Sequence, residues 1–265
     1  MWQRDKRNLM RRFFVEQLRI AERRVKIRGG EARHILKVLR MREGDPVVLV
    51  GADGLRVRGR IEATGKGVVS VLIEEELSPI APPPVRIVLG QALLKSTAMD
   101  LVIQKTSELG LSLLIPFTSE RTVVKWEEEK ATRKLRHWEG IARASVKQSD
   151  RSKPLEIQRP LPFSELITRG WSEDAVKIIL WEAERAQDLR GLLKGKEMCD
   201  EVVGLVGPEG GFSEREITEA KDRGFEPVSL GPRILRAETA SIVLVALLQY
   251  ELGDMSKRTQ KGRSQ

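Results

Sequence analysis

From Val85 to Leu252 the sequence alternates between short apolar runs and longer segments in which apolar residues recur with helical spacing. The runs predict strands and the segments between them predict helices. The predicted strands are 85–89, 113–117, 155–158, 176–180, 202–206 and 227–230, and the predicted helices are 96–109, 127–147, 163–169, 189–193, 214–223 and 239–252. Such alternation predicts an α/β fold with a mostly parallel sheet covered by helices on both faces. Ligands of such sheets bind at the carboxyl ends of the strands.

A proline-rich segment separates this part from the residues before it. Four prolines within residues 79–84 exclude a helix or a sheet interior and indicate a stiff linker. Before the linker, runs at 13–15, 47–50, 55–61 and 68–73 predict strands, with one helix at 31–41. The predicted organisation is a small N-terminal β-barrel domain in residues 1–78, a linker in 79–84, an α/β domain in 85–254 and a mobile tail in 255–265.

Basic residues are concentrated at the front of the chain. The net charge is +9, and residues 1–42 alone contain 14 Lys and Arg against 4 Asp and Glu. Such a concentration attracts polyanions, and compact β-barrels are frequent RNA-binding modules. The alternative is a solvated surface that promotes solubility. The density of charge favours nucleic acid, although charge alone does not separate RNA from DNA.

Composition also limits the cellular location and the chemistry. The longest purely apolar stretch, Ile242–Leu248, is too short to cross a bilayer, and the N-terminus lacks an apolar signal core, so we expect a cytoplasmic protein. The single cysteine, Cys199, excludes an internal disulfide. His34 and His137 leave no Cys/His cluster with metal-ligand spacing, so no metal is expected.

The segment Gly207–Ser213 follows an apolar run and precedes a predicted helix. It reads Gly-Pro-Glu-Gly-Gly-Phe-Ser, and its glycines allow the backbone to approach a ligand closely. Ser213 and Glu216 have the spacing of a capping box. On glycine content alone, an ordinary tight turn is an equally good interpretation. Neither a G-x-G-x-x-G motif nor a phosphate-binding loop occurs in the chain, so no motif supports a dinucleotide or ATP.

A second loop, Leu230–Thr239, lies between a predicted strand and the very apolar last helix. A long polar loop between two buried elements is a candidate functional site. Arg236 and Glu238 could instead form an ion pair at the entrance of the helix, where the helix dipole favours a carboxylate. The spacing leaves both interpretations open.

Taken together, the two loops resemble the signature of a known family. Gly207-Pro-Glu-Gly-Gly211 and Leu230-Gly-Pro-Arg-Ile-Leu-Arg-Ala-Glu-Thr-Ala240 are similar to motifs of the 16S ribosomal RNA uracil-N3 methyltransferases, the RsmE family of the knotted SPOUT superfamily. The resemblance runs from about Arg12 to Asp254. Weaker similarity is found in Arg12–Val15, His34–Met41, Gln104–Gly110 and Ser119–Arg121. In one departure, Lys147 stands where the family pattern Glu-Gln-Ser/Cys-x-Arg has glutamate.

The resemblance implies a PUA-like RNA-binding domain followed by a trefoil-knotted α/β domain that binds S-adenosylmethionine and forms a homodimer. The implied substrate is N3 of a uridine in 16S rRNA, within the small ribosomal subunit, with no DNA or membrane partner. The implied cofactor-binding positions are Leu205, Gly207, Pro208, Glu209, Gly210, Gly211, Leu230, Gly231, Ile234, Leu235, Thr239 and Ala240. The expected RNA-binding residues are Arg11, Arg12, Arg23, Arg24, His34, Lys37, Arg40, Arg42, Gln148 and Arg151.

Two residues are expected to face the reacting base. Uridine N3 must lose a proton before it can accept a methyl group, and Arg236 is suited to stabilise the resulting anion because it stays charged. Glu238 is expected either to accept the proton or to orient Arg236. Three alternatives are a knotted methyltransferase that modifies a ribose 2′-hydroxyl or a guanine nitrogen, a non-catalytic RNA-binding assembly factor, and a nucleotide-dependent metabolic enzyme. The missing phosphate motifs argue against the last of these.

Overall fold

The structure is a computed structural model that describes residues 11–15, 18–51, 54–78, 83–149, 153–196 and 199–256. The chain divides into two compact units between residues 81 and 82, and Lys153 groups with the first unit. Part of the predicted linker, Arg151, and the tail from residue 257 onward lie outside the described residues, as does the side chain of Gln148.

The first unit is a five-stranded sheet around a small apolar core. Its strands are β1 (Arg11–Val15), β2 (Arg24–Ile27), β3 (Pro46–Gly51), β4 (Arg56–Gly65) and β5 (Val68–Leu77). The strand order is β1-β3-β4-β5-β2, with β1 parallel to β3 and the other pairs antiparallel. A short helix, α1 (Gly29–Arg33), continues into a π-helical turn at His34–Val38 and buries Ile35. Strand β2 is absent from the prediction.

The second unit is a seven-stranded sheet in which every recorded strand pair is parallel. Its strands are β6 (Arg86–Ala92), β7 (Leu113–Thr118), β8 (Glu156–Ile157), β9 (Leu161–Pro162), β10 (Val176–Leu180), β11 (Glu201–Val206) and β12 (Glu226–Val228). Its helices are α2 (Ser96–Glu108), α3 (Glu128–Ser149), α4 (Phe163–Ile167), α5 (Leu189–Leu193), α6 (Glu214–Asp222) and α7 (Ala237–Glu251). The predicted fold class, a small β domain followed by a parallel α/β domain, is confirmed.

The strand order β12-β10-β11-β6-β7-β8 decides which loops are neighbours. Because all pairs are parallel, the loops that follow these strands leave from the same edge of the sheet. Strand β10 lies between β11 and β12, so the two loops selected from the sequence are separated by the loop that follows β10. Helix α7 begins at Ala237 rather than at the predicted Thr239, because Arg236 has the extended backbone of an N-cap (φ −63°, ψ 151°).

Candidate active site

Three loops begin at the carboxyl ends of three neighbouring strands. They comprise residues 181–188 after β10, 207–213 after β11 and 229–236 after β12. The second and third contain the positions selected from the sequence. The first was missed, because its sequence contains no glycine and strand order is not visible in a sequence. This edge is the candidate active site.

The loop at 207–213 is tightly folded around its glycines. Gly211 has φ +67° and donates its N–H to the Pro208 carbonyl oxygen at 3.0 Å. A Cβ atom at Gly207 would lie 3.2 Å from the Gly211 carbonyl carbon and 3.2 Å from the Phe212 ring. The Phe212 ring is buried and stacks on Phe117 with the ring centroids 6.1 Å apart. Side chains at positions 207 and 211 would therefore disturb the loop.

A buried carboxylate holds the end of this loop. Glu216 is only 3% exposed and accepts the backbone N–H of Ser213 at 2.9 Å, while the Ser213 hydroxyl accepts the backbone N–H of Glu216 at 3.2 Å. The predicted capping box is confirmed. The other carboxylate oxygen of Glu216 accepts the backbone N–H of Glu120 at 3.0 Å, and Arg121 donates to the Gly210 carbonyl oxygen at 2.9 Å. The turn after β7 thus fixes the glycine-rich loop from one side.

The loop at 181–188 is closed by one carboxylate. Glu184 accepts backbone N–H groups of Arg185, Ala186 and Gln187 at 2.8, 2.7 and 3.2 Å. The hydrogen bonds from Ala186 and Gln187 are the main reason why the pKa of Glu184 is lowered. The loop is also joined to the end of β12, since Ser229 donates its N–H to the Gln187 carbonyl oxygen at 3.0 Å.

The loop at 229–236 and the start of α7 are open to solvent. Gly231 has φ +107° and nothing within 4 Å of where its Cβ atom would lie, and the Ile234 side chain is 88% exposed. No side chain in the described part of the chain caps the N-terminus of α7. Arg236 and Glu238 lie at this helix start, and within the described residues neither a hydrogen bond nor an ion pair joins their side chains. The structure therefore does not support the ion-pair alternative.

A buried polar contact fixes the N-terminal part of α7 on the sheet. The Ser241 hydroxyl donates to Gln91 Oε1 in β6, and both side chains are fully buried. A Cβ atom at Gly204 in β11 would lie 2.6 Å from Leu244 Cδ2, so this glycine allows α7 to pack closely on the sheet. The position of Arg236 is thus set by the core beneath it.

The structure brings the predicted cofactor-binding residues of both loops to one edge of the sheet, with different exposure. Leu205 is fully buried in β11, and Gly207 and Pro208 are buried, whereas Glu209 and Gly210 are exposed. Leu230, Leu235 and Ala240 are half-buried, and Gly231, Ile234 and Thr239 are exposed.

The predicted RNA-binding residues of the first unit lie on several elements. Arg11 and Arg12 are on edge strand β1 and Arg24 begins the opposite edge strand β2, so strand pairing does not bring them together. Arg24 donates to the Glu62 carboxylate at 2.7 and 2.9 Å, and this hydrogen bonding raises the pKa of Arg24. The remaining members lie on the segments before and after β2 and α1: Arg23, His34, Lys37, Arg40 and Arg42.

The described residues contain neither a cluster of metal ligands nor a membrane-spanning helix. No group of three or more His, Cys, Asp or Glu side chains in that part of the chain is placed to hold a metal ion. Among the same residues, no helix is long and apolar enough to span a membrane.

Comparison with known proteins gives matches to both units. Residues 81–249 match a family described as the RNA methyltransferase domain, and residues 27–74 match the RNA methyltransferase PUA domain. The chain is 29% identical over 248 residues to ribosomal RNA small subunit methyltransferase E of Bacillus subtilis, covering 91% of this chain and 97% of that protein. It is 31% identical over 222 residues to the enzyme of that name from Aquifex aeolicus, covering 84% and 92%.

A crystal structure is also similar over most of the chain. It is that of a ribosomal RNA small subunit methyltransferase E from Neisseria gonorrhoeae bound to S-adenosyl methionine. The TM-score is 0.84 and the sequence identity 30%, with 93% of this chain and 100% of that chain covered.

Proposed function

The chain belongs to the ribosomal RNA small subunit methyltransferase E family, and on that premise we propose that it transfers a methyl group from S-adenosylmethionine to N3 of a uridine in 16S rRNA. The observation that carries the proposal is the convergence of both family-like loops on one edge of the parallel sheet. Because the proposed substrate belongs to the small ribosomal subunit, we also propose that the protein acts in the cytoplasm.

The residues at this edge fit the methyl donor. S-adenosylmethionine offers adenine nitrogens, ribose hydroxyls and an amino-acid group, all of which can bind to exposed backbone. Gly210 and Gly231 are exposed and leave the backbone accessible, and no side chain of the described residues caps the first N–H groups of α7. We assign cofactor binding to these positions and to the other family-like positions in the two loops. When bound, this cofactor supplies an electrophilic methyl group.

Arg236 and Glu238 are assigned to the reacting uridine. Arg236 is exposed at the N-cap of α7, and its guanidinium can donate to O2 or O4 of the base while negative charge develops there. Glu238 is half-buried in the first turn, two residues after Arg236, and can accept the N3 proton. The Ser241–Gln91 contact lies one turn further along α7 and fixes the backbone that carries both groups.

We assign RNA binding to the first unit, with its excess of basic residues, and to Gln148 and Arg151. Phosphate contacts from exposed side chains such as Arg23, Lys37 and Arg40 would supply affinity that depends on salt. Arg24 is expected to add less, because Glu62 already compensates its charge.

We further infer a homodimer that uses α7. Leu247 and Tyr250 on α7 are 38% and 56% exposed, and Leu101 on the packed helix α2 is 39% exposed. An apolar face of this kind is stabilised when a second copy covers it. Light scattering at several concentrations tests this, because a constant mass near 29.9 kDa would exclude the dimer.

The activity is tested by incubating the protein with small ribosomal subunits and labelled S-adenosylmethionine. Digestion of the rRNA and mass spectrometry of the nucleosides then identify the modified atom. We expect label in 3-methyluridine. Label in a ribose or a guanine would contradict the proposed atom, and no label in free rRNA or in subunits would contradict the proposed activity.

A further inference from the structure

One carboxylate at the candidate active site, that of Glu182, has no partner among the described residues. The Glu182 side chain is exposed, and no hydrogen bond or ion pair from the described part of the chain engages its carboxylate. The backbone of this residue is fixed, since Arg185 Nη1 donates to the Glu182 carbonyl oxygen at 2.6 Å. The carboxylate is therefore carried by an ordered loop and forms no ion pair with the described residues.

The Glu182 carboxylate lies against the glycine-rich loop. A Cβ atom at Gly211 would lie 2.5 Å from Glu182 Oε1 and 3.1 Å from its Cδ atom. Any side chain at position 211 would thus displace the carboxylate, in addition to the strain of φ +67°. Glycine at position 211 makes room for Glu182.

The loop that carries Glu182 joins both proposed cofactor loops. On the side of β12, Trp181 donates its N–H to the Val228 carbonyl oxygen at 3.1 Å, and Ser229 donates to Gln187 at 3.0 Å. On the side of β11, Glu182 packs on Gly211. The free carboxylate therefore lies between the two segments that we assign to the cofactor.

We propose that Glu182 recognises the cofactor by accepting hydrogen bonds from a donor group of S-adenosylmethionine, either its ammonium group or its ribose hydroxyls. This inference rests on the proposed function and adds a residue that the two family-like loops do not contain. A carboxylate that accepts charge-assisted hydrogen bonds has the chemistry that such donors require.

The sulfonium is a less favourable target for Glu182 than the other donor groups. The positive charge on sulfur disappears as the methyl group leaves, so a carboxylate that stabilised it would favour the ground state over the transition state and slow the transfer. The ammonium group and the ribose hydroxyls remain donors throughout. They are also present in the product, S-adenosylhomocysteine, so Glu182 is expected to bind substrate and product cofactor alike.

The test is calorimetric titration of the full-length protein, its Glu182→Gln variant and a control, Glu173→Gln. Glu173 is an exposed carboxylate before β10, at the opposite end of the same strand, so both variants lose the same charge. Each protein is titrated with S-adenosylmethionine, S-adenosylhomocysteine and 5′-methylthioadenosine. The last compound keeps the ribose and lacks the ammonium group.

We expect Glu182→Gln to weaken the binding of S-adenosylmethionine and of S-adenosylhomocysteine by a similar factor of roughly tenfold or more. This is the scale of one hydrogen bond to a charged group. Glu173→Gln should stay within about twofold of the unchanged protein, as for an exposed charge. A parallel loss with 5′-methylthioadenosine assigns the ribose as the donor, and an unchanged value assigns the ammonium group.

Two results would overturn the inference. In the first, Glu182→Gln binds all three compounds as the control does. In the second, only the binding of S-adenosylmethionine is weakened, which would mean that the carboxylate faces the sulfonium. Failure of the unchanged protein to bind S-adenosylmethionine would instead contradict the proposed function, so the two failures are distinguishable.

Discussion

Replacing Glu216 with glutamine tests whether one buried carboxylate holds the glycine-rich loop. The carboxylate accepts two backbone N–H groups, from Ser213 at 2.9 Å and from Glu120 at 3.0 Å. Glutamine keeps one acceptor oxygen, but its NH₂ group would face the second N–H donor. Losing one hydrogen bond to a charged acceptor costs about 1.5–3 kcal/mol. Losing the carboxylate at a helix N-terminus costs about 0.3–1 kcal/mol more.

Glu216→Gln should therefore lower the free energy of unfolding by about 2–4 kcal/mol. The matched control is Glu214→Gln, which removes an exposed carboxylate from the same helical turn and should cost no more than about 1 kcal/mol. The assay is urea unfolding followed by tryptophan fluorescence. Four of the five tryptophans, at positions 126, 138, 171 and 181, lie in the second unit, so the signal reports that unit.

Cofactor affinity provides a second measurement for the same pair. Because Glu216 fixes Ser213 at the end of the glycine-rich loop, Glu216→Gln should also weaken the binding of S-adenosylmethionine, whereas Glu214→Gln should not. Equal unfolding free energies for the two variants would refute the reasoning. So would a destabilised Glu216→Gln protein with unchanged cofactor affinity, since the carboxylate would then stabilise α6 without organising the loop.

Three further predictions concern the substrate and pH. Arg236→Ala should lower the single-turnover rate by roughly a hundredfold, the scale of one preorganised donor, with little change in the cofactor dissociation constant; a rate near that of the unchanged protein would reject its catalytic role. Arg23→Ala should weaken RNA binding more than Arg24→Ala, because Glu62 already pairs with Arg24; equal losses in a filter-binding titration would contradict this. The pKa of Glu184 is lowered in the folded protein, so its contribution to stability is complete above the ordinary glutamate pKa and is lost as the pH falls through the lowered value. The thermal unfolding temperature should therefore fall less steeply with decreasing pH in the Glu184→Gln variant than in the unchanged protein.

The strands and helices of the second unit were predictable because the sequence changes its hydrophobic period at each boundary. Strands such as β10 and β11 consist of near-continuous apolar runs, which is typical of strands buried on both faces. The two-residue strand β9 was missed because it is too short to show a period. Strand β2 was also missed, although its sequence Arg-Val-Lys-Ile alternates in the structure between exposed and buried positions.

The arrangement of the loops was not predictable from the same information. Hydrophobic period identifies strands but does not order them in a sheet, and the order β12-β10-β11 is what makes the loop at 181–188 a neighbour of both family-like loops. Contacts such as Arg121 with Gly210 and Ser241 with Gln91 join residues 89 and 150 positions apart, beyond the reach of any local pattern. The family resemblance identified residues within its motifs and could not identify residues, such as Glu182, that lie outside them.

Gly211 links these two kinds of information. In the sequence it is one glycine of a motif, and a positive φ alone would explain why no side chain stands there. In the structure the same position faces the carboxylate of Glu182, which comes from a loop without a motif. A glycine that the backbone conformation requires also creates the space for a charged group from the neighbouring strand. The glycine in the motif is therefore required in part by Glu182. The sequence motif does not identify that residue, whereas the strand order does.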